Sequence, residues 1–254
     1  MEAIVDKGWW NPFPKVRYTE RPDSAAAAVY EGRIIVLVDN SATAMILPAT
    51  IFEFAEEAND FYFPPVVGTY LRIVRFLIFI VTLLLTPTWY MLAERPDLPQ
   101  WLSFVAIKEP AGLPLWLQLF VFEFAIDGLK LASLNTPQAL SNSFSVLGAL
   151  ILGDFAVKAG WFAPEVIMYM GLAAIGNFAQ PSFELGYAVK LLRMMLTALI
   201  ALFGVYGYAG GIILTVLMMV LTRTVSDGHY LYPLIPLRPR ALLGLFVRRR
   251  MNGR

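Results

Sequence analysis

Residues 71–92 read LRIVRFLIFIVTLLLTPTWYML, and this stretch decides the fold class. Its length matches the ~20 residues that carry an α-helix across about 30 Å of hydrocarbon. Arg72 and Arg75 stand at its start, and Trp89 and Tyr90 near its end. Basic residues on one side and aromatics on the other mark a cytoplasmic flank and an interfacial belt, which predicts a cytoplasmic N-terminal region. The whole chain agrees: 58 % of its residues are apolar and 15 % charged, against roughly 45–50 % and about 25 % in soluble domains. The expected fold is an α-helical integral membrane protein.

Working outward, further helical segments are expected at residues 115–134, 139–159, 164–178, 185–206 and 208–221. Lys130, the pair Lys190 and Arg193, and Arg223 fall where cytoplasmic ends would lie on a path of about six spans. Segment 115–134 is charged and 164–178 is short, so the count becomes about four or five if either lies flat or re-enters. The expected organisation is a small α/β cytoplasmic segment at 1–66, a membrane bundle at 67–224 and a basic cytoplasmic tail at 225–254. That tail holds Arg238, Arg240, Arg248, Arg249, Arg250 and Arg254 with no acidic residue after Arg238. Beside a membrane bundle it reads as an anchor on lipid rather than a nucleic-acid arm.

Within 1–66, Asp23 or Ser24 can cap a short helix over residues 25–28, and Gly32 sits where a left-handed helix end belongs. Residues 34–38 and 43–47 are two β-prone runs joined by Asp39-Asn40-Ser41, a hairpin pattern. An amphipathic helix is expected over 52–58, with Glu53, Glu56 and Glu57 solvated. Two strands and two short helices cannot build an independent core, so this piece must lean on the membrane, another subunit or sequence absent from the chain.

Enzyme chemistry has little to stand on. There is no cysteine and a single histidine, His229, so neither a two-histidine metal site nor a Ser-His-Asp arrangement can be assembled. No phosphate-binding glycine motif occurs. No catalytic residue, cofactor, metal or nucleic-acid partner is expected.

Charges within the apolar segments are more informative, because each costs about 2.5–3.5 kcal/mol at a bilayer centre. Glu123, Asp127 and Lys130 share one helix face, which suits either a water-filled path or an amphipathic helix at the interface. Segment 139–159 places Ser143, Leu147, Leu150, Asp154 and Lys158 on one face, polar at both ends and apolar between. In a ring of identical helices that face would make hydrophilic vestibules around a hydrophobic constriction. An adjacent face carries Ser141, Ser145, Ala149 and Gly153 at i+4 spacing, a small-residue stripe for close helix packing. Ordinary bundle packing with an Asp154–Lys158 pair explains the same pattern. Gly207 and Gly211 have GxxxG spacing but are expected in the turn between two spans.

The ordered matches Tyr18-Thr-Glu-Arg-Pro-Asp23, Glu31-Gly-Arg33, Leu47-Pro48, Gly68-Thr-Tyr-Leu-Arg72, Gly148-Ala-Leu-Ile-Leu-Gly153, Leu172-Ala-Ala-Ile-Gly176 and Tyr232-Pro-Leu-Ile-Pro236 resemble the A-subunit family of bacterial spore germination receptors. Val16-Arg17-Tyr18, Phe162-Ala-Pro-Glu-Val-Ile-Met-Tyr169 and Pro181-Ser-Phe-Glu-Leu185 favour its sporulation-stage (AF-type) branch. The resemblance implies a homo-oligomeric ring, a pentamer, in the spore inner membrane that releases monovalent cations during germination. It implies partners as well: germination receptor subunits, one permease-like and one a lipoprotein, or another small membrane protein. Members carry a cytosolic domain ahead of the TERPD segment, so residues 1–66 are expected to be the end of a larger domain. Two other functions fit the residues alone: a secondary transporter using Glu123 and Asp127, or a non-conducting scaffold of the germination apparatus.

Overall fold

A computed structural model describes residues 11–57, 62–135, 146, 148 and 150–246. About 64 % of the described residues are helical, and they include one small sheet near the N-terminus. It divides into two compact units: Met1–Ile80, Phe178–Leu191 and Ile213–Arg254 form the first, and Val81–Asn177 with Leu192–Ile212 the second.

In the first unit, β1 (Arg17–Thr19), helix α1 (Pro22–Tyr30), β2 (Ile34–Val36) and β3 (Ala44–Leu47) lead to a single turn of helix, α2 (Ile51–Phe54). The expected hairpin is present, with Ile35 opposite Ile46. A third strand joins it that the sequence pattern did not reveal: β1 pairs antiparallel with β3, Tyr18 opposite Met45, giving the order β1-β3-β2. Alternation fails as a signal here, since β1 is three residues long and half-buried throughout. Gly32 ends α1 at φ 83°, as its position predicts. Asp23 lies inside the first turn of α1 rather than at its cap, and it accepts from Arg21 Nη2 at 2.8 Å, from the Tyr62 hydroxyl at 2.9 Å and from the Ser24 N–H at 2.8 Å. These donors, Arg21 foremost, hold its carboxyl well below the usual carboxylate range.

The residues that flank the sheet meet the far end of the chain. Ile51 N–H donates to the Tyr230 carbonyl at 3.2 Å, Asn11 Nδ2 donates to Thr222 Oγ1 at 2.7 Å, and the Phe13 and Tyr230 rings lie 5.7 Å apart. Tyr230 is fully buried. Residues 11–57 thus obtain their missing core from within the chain.

The three glutamates after β3 are ion-paired rather than free on an amphipathic helix: Glu53 and Glu56 are largely withdrawn from solvent, while the Glu57 side chain stays 42 % exposed. Arg33 donates to both Glu53 oxygens, at 2.5 and 2.6 Å, and to the Pro48 carbonyl. Arg72 pairs with Glu56 at 3.3 Å and Arg75 with Glu57 at 2.8 Å. Arg72 and Arg75 lie two to three turns into the long helix α3 (Pro65–Ala93), so the N-terminal third of that helix is clamped to the α/β segment. Arg72 also donates to the Leu245 carbonyl at 3.1 Å, near the end of helix α7 (Pro239–Phe246).

Burial pushes the Glu56 carboxyl up, Arg72 only partly offsetting it. The folded state therefore holds that proton more tightly than the unfolded chain. Its contribution to stability is complete below the ordinary glutamate range and is lost as pH rises through the raised value. Glu56→Gln is expected to flatten this part of the stability–pH curve, read as the melting temperature between about pH 4 and 7. An unchanged slope would assign the dependence to another group.

The second unit packs α4 (Leu115–Asn135) and α5 (Pro164–Phe178) with parts of α3 and α6 (Phe183–Leu221). Its core holds Trp89, Tyr90, Leu119, Phe122, Phe162, Val166, Tyr169, Met170 and Ile200. Trp89 and Tyr90, expected as an interfacial belt, are buried at 2 % and 1 % exposure. The reason is local: Trp89 stacks on Tyr169 at 4.6 Å and gives its indole N–H to the Val105 carbonyl at 3.0 Å. Gln118 bridges segments, donating to Leu113 O and accepting from Ala163 N.

Among the described residues two helices, α3 and α6, are long and apolar enough to cross a membrane, with mean hydropathies of 2.0 and 1.9. Helix α6 is not straight. Gly204, at φ 57° and ψ −132°, is non-helical, and the chain reverses there rather than at Gly207. A Cβ on Gly207 would run into the Leu199 carbonyl, and one on Gly211 would come within 2.6 Å of Leu196 Cδ2. The GxxxG pair belongs to the packing face of the returning arm, not to the turn.

Candidate functional site

Glu123 lies on α4 with Phe122, Leu119 and Ile126 around it, an apolar stretch that turns the carboxylate inward. Arg193 comes from α6, midway between Phe183 and Gly204. Its Nε and Nη2 converge on Glu123 Oε1 at 2.6 and 2.5 Å, and its Nη1 donates to the Thr82 carbonyl at 3.1 Å. Glu123 is 4 % exposed and Arg193 2 %. Arg193 was expected to flank a span in the cytoplasm; instead it is spent internally. Two ions removed from water need partners of this quality to offset the loss of hydration. The Thr197 hydroxyl, one turn further along α6, donates to the Arg193 carbonyl at 2.9 Å.

Beside the pair is a small cavity of about 10 Å³ lined by Thr86, Glu123, Thr197, Met170, Met194 and apolar residues of α4. Thr82 and Thr86, both 1 % exposed, have hydroxyls without a hydrogen-bond partner among the described residues. The sequence held no signal for this cluster beyond the charges themselves. Asp127, one turn after Glu123, and Lys130 are half-buried on α4. Glu123 is thus separated from its two sequence companions in role: the first is locked to Arg193, while the others lie nearer the surface.

Of the face expected to line a pore, Leu150, Asp154 and Lys158 lie within the described residues, and Ser143 and Leu147 outside them. The packing stripe divides similarly, with Gly153 described and Ser141, Ser145 and Ala149 outside. Leu150–Phe155 is a π-helical turn that continues into Ala156–Lys158. Such wide turns are uncommon and concentrate at functional sites. Lys158 Nζ donates to Asp154 Oδ2 at 2.7 Å in an exposed pair. Leu150, Ile151 and Phe155 are exposed as well, so apolar and ionic groups share one short surface. Among the described residues no group of three His, Asp or Glu side chains could hold a metal ion.

Comparison with known proteins matches residues 1–254 to the family model described as Bacillus/Clostridium GerA spore germination protein. The chain is similar to stage V sporulation protein AF of Bacillus subtilis (strain 168), 40 % identical over 253 residues, covering 99 % of this chain and 51 % of that protein. It is 30 % identical over 254 residues to the uncharacterized membrane protein YfkQ of the same organism, covering 98 % and 49 %. With B. subtilis spore germination protein KA it shares 30 % identity over 241 residues, 93 % and 44 % of the two chains. The chain spans about half the length of these curated relatives. No solved structure matches.

Proposed function

The chain belongs to the Bacillus/Clostridium GerA spore germination family, and we propose that it is a membrane subunit of the germination apparatus that conducts ions. Copies of the chain assemble into a ring, with segment 139–159 facing the symmetry axis and monovalent cations passing through it. The observation that carries this reading is the described end of that segment. Exposed Leu150, Ile151 and Phe155 stand beside the exposed Asp154–Lys158 pair on a π-helical turn. An apolar strip bordered by charge at one end suits a constriction and its mouth.

The membrane path is part of the same proposal. Helix α3 rises about 44 Å at 1.5 Å per residue, more than enough to cross the hydrocarbon. The reversal at Gly204 splits α6 into two arms of about 30 and 25 Å, so each arm can cross once. With α4, segment 139–159 and α5, the bundle has about five or six crossings. Apolar side chains facing outward, such as Leu77, Ile80, Leu202, Ile213 and Leu221, fit a lipid surround. The basic tail holds both termini on the cytoplasmic side. Other germination receptor subunits are its partners, in keeping with the names of its relatives.

Leu147→Ser and Leu150→Ser test the constriction. Each is expected to wet the narrow segment and raise basal leakage of potassium from dormant spores or loaded vesicles. If neither changes leakage or germination rate, this face does not gate the path.

A further inference from the structure

We propose that the cavity beside the Glu123–Arg193 pair is an internal hydration site, occupied by a water molecule shared between Thr86, Thr197 and Glu123. Three observations on separate helices converge on it. Thr86, on α3, is almost wholly buried, lines the cavity and has no partner for its hydroxyl among the described residues. Thr197, on α6, spends its proton on the Arg193 carbonyl, which leaves its oxygen lone pairs able to accept. Glu123, on α4, offers a carboxylate whose Oε1 already takes two guanidinium N–H groups.

The inventory around the space is thus one unused hydroxyl donor and two acceptors. A water molecule complements it: it accepts from Thr86 Oγ1 and donates to Thr197 Oγ1 and to the Glu123 carboxylate. Buried waters typically make about three such bonds to groups that would otherwise lack partners. An apolar occupant would leave the Thr86 hydroxyl unmade, the costly outcome for a buried polar group. A metal cation is disfavoured because the Arg193 guanidinium already neutralises the nearest carboxylate, and a second positive charge would face it across the cavity. Thr82, one turn before Thr86, has its carbonyl bound by Arg193, which links this stretch of α3 to the pair. The bound water makes the ion pair partly solvated, which lowers the cost of holding two charges in an apolar interior.

The test is radiolytic hydroxyl-radical labelling of the full chain in detergent or nanodiscs, read at each methionine by mass spectrometry. Radicals born from an internal water oxidise the side chains that line its site. Met170 lines the cavity and is 0 % exposed, while Met168, two residues away, is 51 % exposed and reports labelling from bulk solvent. Met170 is expected to oxidise well above the other buried side chains. Thr86→Val should lower its rate several-fold with Met168 unchanged, and Thr86→Ser, which restores the hydroxyl, should recover it. Thr197→Val supplies an independent variant if Thr86→Val does not accumulate. Background labelling of Met170 in the native chain, or a rate unaffected by both valine variants, would overturn the proposal. So would a rise in melting temperature on adding sodium or potassium that Thr86→Val abolishes, since that would identify a cation site.

Discussion

Arg193→Leu is expected to destabilise the chain by about 3–5 kcal/mol, because it takes from the buried Glu123 carboxylate the guanidinium that binds its Oε1 twice. The expectation follows from burial rather than from the pair's intrinsic strength. Both ions have left water, and Arg193 also ties α6 to the Thr82 carbonyl of α3. Glu123→Leu alone should cost a similar amount, by stranding the guanidinium. The double variant Glu123→Leu/Arg193→Leu is the decisive comparison. Replacing both ions with apolar groups of similar volume is often neutral or stabilising, so it should recover most of the loss. Thermal or denaturant unfolding of purified protein in detergent reads all three. Single variants that unfold like the native chain would show that the pair is not desolvated as described.

The second large effect is expected at the reversal in α6. Gly207→Ala places a Cβ against the Leu199 carbonyl, where backbone rather than a flexible side chain must yield. Overpacking of this kind costs about 1–3 kcal/mol and sometimes more. Gly204→Ala forces a side chain onto a backbone conformation that only glycine adopts readily, a cost of about 1–3 kcal/mol. Gly210 is the control, because nothing lies within 4 Å of a Cβ built there. In a helix alanine is favoured over glycine by up to about 1 kcal/mol, so Gly210→Ala should be neutral or stabilising. Equal effects at Gly207 and Gly210 would contradict the antiparallel packing of the two arms.

What could be read from the sequence were the features that depend on neighbours along the chain. Residues 71–92 announce a long apolar helix by composition, the hairpin of β2 and β3 by two β-prone runs around Asp39-Asn40-Ser41, and the end of α1 by Gly32. Most of the failures involve partners far apart in sequence. Glu53, Glu56 and Glu57 read as a solvated run because their arginines, at positions 33, 72 and 75, cannot be assigned to them from spacing. Trp89 and Tyr90 fit an interfacial belt until Tyr169 and Val105 are brought against them. Arg193 looked like a flank because helices with internal arginines are costly, and Glu123, which offsets that cost, lies 70 residues away. Gly207 and Gly211 were recognised as a pair but placed in the turn, since periodicity does not show where a helix reverses. The family pattern was legible in short motifs spread along the chain, and the comparison supports it across the full length.

The contact of Arg72 with the Leu245 carbonyl spans 173 residues, and that separation is also a delay in time. At about 5–20 residues per second, a ribosome delivers Leu245 roughly 9–35 s after Arg72. Tyr230 and Thr222, which complete the sheet's surroundings, arrive only shortly before it. During that interval the three-stranded sheet exists without its last partners, and Phe13 and Ile51 lack the residues they meet in the finished protein. Biogenesis of the first unit must therefore end after translation of the bundle, with the C-terminal residues acting as the closing step. A nascent chain arrested before Thr222 would expose this unfinished segment to chaperones and proteases, whatever the state of the helices already made.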